Sequence, residues 1–362
     1  MPNKFQKKAK IGILTLPLGH NYGGVIQAWA LQRSLDKLNK FEIQILNYRG
    51  AKLSLVRYLK MILFGMIGKS EDIHTAKKYS KIRAFRNNHL KLSPNLWGKK
   101  ALRNYIKSQS MDHVLIGSDQ VWRQSYSKEP EVYFGALNIP KSVRLSTYAA
   151  SFGGCTRVLN LEHCKSSLDL FENISVREKK SVDFIYKSTG IVASFVADPS
   201  LLIEADEYIS LFNLKKDPKE HLFSYILDID MNKENILKKV VLHIQDEVVE
   251  LKNIDSKNNQ TLNAGVVEWI NNFYNASFVI TDSYHGVLFS IIFKKDFVVI
   301  PNLERGVERF LSILKVLELE ERLVQDVSEV KQVLLKSIDW ESVEIRRKIF
   351  VDKSLIYLNS AF

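Results

Sequence analysis

Hydrophobic positions along the chain fall into short apolar runs, separated by stretches whose apolar residues recur at helical spacing. Residues 9–16 (AKIGILTL) read as a short buried strand rich in β-formers. The loop 17–24 (PLGHNYGG) follows, with Gly19, Gly23 and Gly24 and no helical periodicity. Over 25–38, Ala28, Leu31, Leu35 and Leu38 share one face while Arg33 and Asp36 turn away, which predicts a helix. Residues 41–48 (FEIQILNY) alternate as a second strand. Strand, loop, helix, strand is the opening of a parallel sheet with helices on its faces.

Strand signals resume at 113–117 (HVLIG) and 143–151 (VRLSTYAAS), with a helix expected around 160–172. FENISVREKKSVDFI reads as strand, turn and helix, and 191–203 (IVASFVADPSLLI) as an apolar strand stopped by Asp198-Pro199. The polar stretch 215–221 (KKDPKEH) is the best linker. Beyond it the alternation restarts, with strands at 222–229, 278–282 and 297–301 and in EVVELKN. Helices are expected in NKENILKKVVLHIQ, VVEWINNFYNA and YHGVLFSIIF. The closing stretch SVEIRRKIFVDKSLIYLNS is amphipathic and predicts a helix that packs back across the domain boundary. Two successive α/β halves, each with a parallel sheet, are the most economical fold. The expected domains are 1–203, 204–340 and the terminal helix 341–362.

Composition narrows the picture. With 362 residues, 46% hydrophobic and 25% charged, the chain is too apolar to be mostly disordered and long enough for two domains. Its two cysteines, Cys155 and Cys164, make no disulfide framework, and no Cys/His cluster suggests a metal. No run reaches the ~18 apolar residues of a membrane span. The first apolar run is too short for a secretion signal. A cytoplasmic, reduced protein is expected.

Charge is unevenly placed. Residues 1–110 carry 22 Lys/Arg against 4 Asp/Glu, which points to an anionic partner at that end or to a solvated basic helix with no partner. Much of this excess falls in 51–107, a basic, helical insertion with 14 Lys/Arg. Its segment 51–69 combines an apolar run with Lys52, Arg57, Lys60 and Lys69. Two readings stand: an interfacial helix on the inner face of an anionic membrane, or a cover in which Leu55, Leu59, Ile62 and Leu63 pack on the first sheet. No nucleic-acid-binding motif accompanies the basic residues, so no nucleic-acid partner is expected.

Five loops concentrate polar chemistry. GHNYGG, with Asn21, Tyr22 and Gly23, lies between a strand and a helix, but its glycines match neither a dinucleotide fingerprint nor a P-loop. It is a ligand loop or a plain tight turn. GSDQVW follows a strand directly; Asp119, Gln120 and Trp122 together offer a carboxylate, an amide and an indole, which suit a sugar. An Asx-turn with a core tryptophan is the other reading. SVREKKS places Arg177 and Glu178 where a strand becomes a helix, with Arg177 either a fork for a carboxylate or phosphate or a surface charge. TDSYHG wedges Asp282, Ser283 and His285 between an apolar strand and an apolar helix, which is a site or a turn around a buried structural histidine. NLERGVERF puts Arg305 and Arg309 just after the last strand.

In their joint order these segments resemble the polysaccharide pyruvyl transferase family. The resemblance runs from GILTLPLGHNYGG through GSDQVW, STYAASFG, SVREKKS, VADPSLL and TDSYHG to NLERGVERF. It implies two Rossmann-like parallel-sheet domains in a GT-B-like arrangement with an interdomain cleft. The N-terminal domain would be the acceptor side and the C-terminal one the donor side.

The implied activity is transfer of the pyruvyl group of phosphoenolpyruvate to a sugar such as galactose, forming a cyclic ketal in a bacterial capsule or exopolysaccharide precursor. No cofactor or metal is implied. The partners are phosphoenolpyruvate and a saccharide acceptor, free or lipid-linked. Carried over by position, Arg177 and His285 contact phosphoenolpyruvate. Many members have arginine where this chain has Ser283, which leaves Arg305 or Arg309 to supply the missing charge. His285 is then the general acid or phosphate-stabilising group and Asp119 the candidate acceptor-side base; Asn21, Tyr22, Gly23, Gln120 and Trp122 complete the acceptor side. The competing classes are a glycosyltransferase using a nucleotide sugar and a non-catalytic, membrane-docking module.

Overall fold

A computed structural model of the protein describes residues 8–19, 21–50, 71–154, 165–244, 250–255 and 264–362. The segment expected as an interfacial or covering helix, 51–69, lies outside them, as do Cys155 and Cys164. The chain divides into two compact units. Described residues of the first fall within 1–65, 86–202 and 352–362, and those of the second within 66–85 and 203–351. The main segment of the second unit begins at Ile203. Of the basic insertion 51–107, the described residues up to Phe85 count with the second unit.

The first unit holds six parallel strands: β1 (Ala9–Leu14), β2 (Phe41–Ile45), β3 (His113–Asp119), β4 (Arg144–Ala150), β5 (Ser175–Val176) and β6 (Ser194–Phe195). Their order is β2-β1-β3-β4-β5-β6. Ile13 stands beside Ile45 on one side and Leu115 on the other, and consecutive residues of β1 from Ile11 and all of β3 are buried, so both faces of these strands are covered, as their unbroken apolar runs require. The chain leaves β1 toward β2, then returns to the far side of β1 for β3. The point where the order reverses therefore lies between the carboxyl ends of β1 and β3, where open α/β sheets bind ligands.

The second unit repeats the design with β7 (His221–Ile226), β8 (Glu250–Asp255), β9 (Ala276–Thr281) and β10 (Asp296–Val299), in the order β10-β9-β7-β8. All pairs are parallel. Here the reversal falls between β7 and β9.

Two elements differ from the sequence expectation. The first helix runs Tyr22–Lys37, three residues earlier than its apolar spacing suggests, because the exposed Asn21 side chain accepts the Gly23 N–H and opens the helix inside the glycine-rich stretch. The apolar run 191–203 yields only the two-residue β6, followed by a 3₁₀ turn Pro199–Leu202 that carries Asp198 at its entrance. Each sheet has its own core. Leu14, Ile116, Trp122, Phe134, Phe152 and Val176 pack in the first; Leu222, Ile236, Val240, Ile280 and Val298 pack in the second.

Candidate functional site

Both reversal points carry polar clusters. In the first unit, β3 ends in Gly117, Ser118 and Asp119. Gly117 has φ +119° and a Cβ there would lie 2.3 Å from the Tyr148 carbonyl oxygen, so only glycine lets the strand turn here. Asp119 follows with φ +84°. Its Oδ1 accepts the Gln120 N–H at 2.8 Å and lies 3.4 Å from Arg177 Nη2. Arg177 sits at the end of β5. Its Nη1 donates to Asp198 Oδ2 at 2.8 Å and to Gln27 Oε1 at 3.2 Å, while Glu178 Oε1 stands 4.0 Å from its Nε. Thr15, past β1, donates to the Ser118 carbonyl, and the Ser118 hydroxyl donates to Gln27.

In the second unit, Asp282 follows β9 and is buried. It accepts the backbone N–H groups of Leu227 and Asp228, the Lys233 ammonium at 2.8 Å and the Asn302 amide at 2.9 Å. Ser283 caps the helix Tyr284–Ile292 by accepting the Gly286 N–H. His285, in the first turn, is buried with its ring edge-on to Tyr284. Arg309 lies over that same tyrosine ring and donates to the Arg305 carbonyl. Arg305 grips Asp228 with both Nε and Nη2. This fork, joined by the Asn302 hydrogen bond and the positive charges of Arg305 and Lys233, holds the Asp228 carboxyl down at about 2, against partial burial that acts the other way. Asp228, Lys233 and Asn302 line a cavity of about 570 Å³, walled by Ile300, Val307 and Leu311.

The structure gathers the expected residues into two sets. Asn21, Tyr22, Gly23, Asp119, Gln120 and Arg177 belong to the first unit; Ser283, His285, Arg305 and Arg309 belong to the second. Two of these side chains lie in the interior. Trp122 is fully buried, stacked on Phe134 with its indole N–H given to the Tyr133 carbonyl, so it has no ring face for a sugar. Arg177, expected to clamp the donor, has a side chain with 0% exposure and is engaged by carboxylates inside the fold. Tyr22 and Gln120 are also buried, Gln120 accepting from Arg123, whereas Asn21 stays exposed as the helix cap.

Sequence reasoning missed Gln27, Asp198, Asp228, Lys233 and Asn302. Asp198 was visible only as a strand terminator, and Asp228 as the last polar residue of an apolar run. Gln27 and Lys233 are helix residues whose inward direction no local pattern reveals. Among the described residues, no group of three or more His, Cys, Asp or Glu could hold a metal ion. None of their helices is long and apolar enough to cross a membrane.

Among solved structures, the chain is similar to the UDP-GlcNAc 2-epimerase of Neisseria meningitidis bound to UDP-GlcNAc, with 10% identity and a TM-score of 0.54 over 98% of this chain and 99% of that one. It is also similar to a putative UDP-N-acetylglucosamine 2-epimerase of Listeria monocytogenes, with 11% identity and a TM-score of 0.53 over 94% and 91%. At such identities the likeness concerns the fold alone, which is of the GT-B type. Comparison with curated proteins finds no match. Among family profiles, polysaccharide pyruvyl transferase matches residues 21–304, a span that runs from the Asn21 helix cap through Asp119, Arg177 and His285 to the loop before Arg305. The chain belongs to the polysaccharide pyruvyl transferase family.

Proposed function

We propose that this protein transfers the pyruvyl group of phosphoenolpyruvate to two hydroxyls of one sugar in a polysaccharide precursor, releasing phosphate and closing a cyclic ketal. The observation that carries the proposal is the family match across residues 21–304, which takes in the first polar cluster and, in the second, Asp228, Lys233, Asp282, Ser283, His285 and Asn302. The chemistry asks for little more than these side chains. One sugar hydroxyl attacks C2 of the donor, C3 is protonated to a methyl group, phosphate departs, and the second hydroxyl closes the ring at C2. Of the two hydroxyl protons, one balances the methyl group and the other leaves with phosphate.

In this reading the second unit takes the donor. Arg305 already forks a carboxylate, Asp228, in the geometry with which it would take the carboxylate or phosphate of phosphoenolpyruvate. His285 is the proton donor, and Ser283 and Arg309 shape its loop. In the first unit, Asp119 is the base that takes a sugar hydroxyl proton, with Asn21 and Gly23 on the same edge of the sheet.

Incubation with phosphoenolpyruvate and a panel of free and lipid-linked galactosides tests the proposal. Phosphate release should accompany a product mass gain of one pyruvate less one water. Arg305→Ala should weaken phosphoenolpyruvate binding tenfold to a hundredfold, the worth of a charge-assisted hydrogen bond of about 1.5–3 kcal/mol, and His285→Ala should abolish transfer. No phosphate release with any acceptor, or full activity in His285→Ala, rejects it.

A further inference from the structure

We infer that Arg177 is a positioning residue for Asp119 and does not bind the donor: Asp198, Arg177 and Gln27 form a buried chain that fixes the Asp119 carboxylate at the reversal point of the first sheet. The inference rests on the proposed role of Asp119 as acceptor-side base.

Burial sets the direction of the chain. The Asp198 and Arg177 side chains are both 0% exposed, and Asp119 is the outermost member at 10%. Asp198 is itself fixed, because its Oδ1 accepts the Ser200 N–H at 2.9 Å while its Oδ2 takes Arg177 Nη1 at 2.8 Å. The same Nη1 donates to Gln27 Oε1 at 3.2 Å. That oxygen also receives the Ser118 hydroxyl, on the residue just before Asp119. Arg177 is thus held at two points and turns Nη2 toward Asp119 Oδ1, 3.4 Å away.

Asp119 is confined on its other side as well. A Cβ at Gly24 would stand 3.3 Å from Asp119 Oδ2, so the glycine lets the carboxylate lie against the first turn of the helix Tyr22–Lys37. That turn contains no acidic residue, and a helix N-terminus favours an anion. A carboxylate pinned in this way keeps one orientation without needing substrate to order it, which is what a base requires to meet a hydroxyl.

The same geometry argues against a donor clamp. Three carboxylates, those of Asp119, Glu178 and Asp198, already surround one guanidinium. Glu178 is held there by the hydroxyls of Ser151 and Ser181. A trianionic donor would meet a local excess of negative charge and a cation with no exposed surface.

Calorimetric binding of phosphoenolpyruvate, combined with turnover per binding site so counted, separates the two roles. Arg177→Ala leaves buried carboxylates unpaired and risks misfolding, so the variants are Arg177→Lys and Asp198→Asn, each checked by its thermal transition. Positioning predicts phosphoenolpyruvate affinity within twofold of the wild type and kcat per site at least tenfold lower in both; Asp119→Asn should likewise bind the donor and fail to turn over. A donor clamp predicts a tenfold to hundredfold loss of affinity in Arg177→Lys. A tenfold loss of affinity in either folded variant, or an unchanged kcat per site in Asp198→Asn, overturns the inference. A wild type that neither binds nor consumes phosphoenolpyruvate overturns the proposed function, and this inference with it.

Discussion

His113 opens β3 in the middle of the first sheet and shows what burial does to a single side chain. It is 1% exposed, its ring packs against Phe362, and neither ring nitrogen has a hydrogen-bond partner among the described residues. Burial, helped by the positive charge of Arg144, drives its pKa down from 6.5 to about 4. A depressed value means that the unfolded chain binds the proton first as pH falls. The stability this neutral histidine provides is therefore complete above pH 6.5 and drains away toward pH 4, by about 3 kcal/mol in all. Denaturant unfolding at pH 7 and pH 4.5 should show a smaller loss in His113→Leu than in the wild type. Equal losses would mean that His113 does not titrate on unfolding. The sequence shows a histidine at the start of an apolar run and nothing more, because its environment is supplied by residues 249 positions away. Arg177 failed to be legible in the same manner: the motif marks the position, whereas Asp198, Gln27 and Asp119, which decide what the guanidinium does, arrive from three other segments.

Elements were more legible than side chains, since periodicity is local and partners are not. Apolar runs located β1, β3, β7, β9 and β10 because buried parallel strands need nothing else. The apolar run at 191–203 misled for the opposite reason: at the sheet's edge only two residues pair, and the rest of its apolar side chains pack from a turn. The helix Tyr22–Lys37 began early because a cap, which is one side chain, outweighs apolar spacing. The helix Tyr284–Ile292 presents the clearest case of an element built for close approach. A Cβ at Gly286 would stand 2.2 Å from Thr281 Oγ1, the hydroxyl that donates to the Tyr225 carbonyl and accepts the Ser283 N–H. Gly286→Ala must push the helix off β9 or break that hydroxyl's bonds, at a cost of about 1–3 kcal/mol. His285 rides on the same turn. The variant should unfold at lower denaturant and lose transfer activity together; a stable variant with normal activity would show that the turn has room.

At the scale of the chain, the two units are built from interleaved sequence, and the C-terminus shows why this matters for stability. The final helix spans Trp340–Ser360, and its residues from Asp352 onward count with the first unit. There Ser354 accepts the Ala197 N–H, Tyr357 donates to the Thr147 carbonyl, and Ser146 donates to the Ala361 carbonyl. Leu358 is fully buried, and Phe362 closes over Phe41 and His113. The hydrogen bonds each contribute about 1 kcal/mol and the buried Leu358 about 1.5–3 kcal/mol, with a smaller share from the half-buried Phe362. Together these are comparable with the whole stability of a domain, about 5–15 kcal/mol. A chain ending at residue 351 should therefore lose the cooperative transition of the first unit while the second keeps its own. Differential scanning calorimetry should show one transition removed or shifted down by well over 10 °C, and hydrogen exchange should localise the loss of protection to β1, β3 and β4. Unchanged protection in those strands would mean that the first sheet stands without its last eleven residues, and that the returning segment adds contacts but not the fold's integrity.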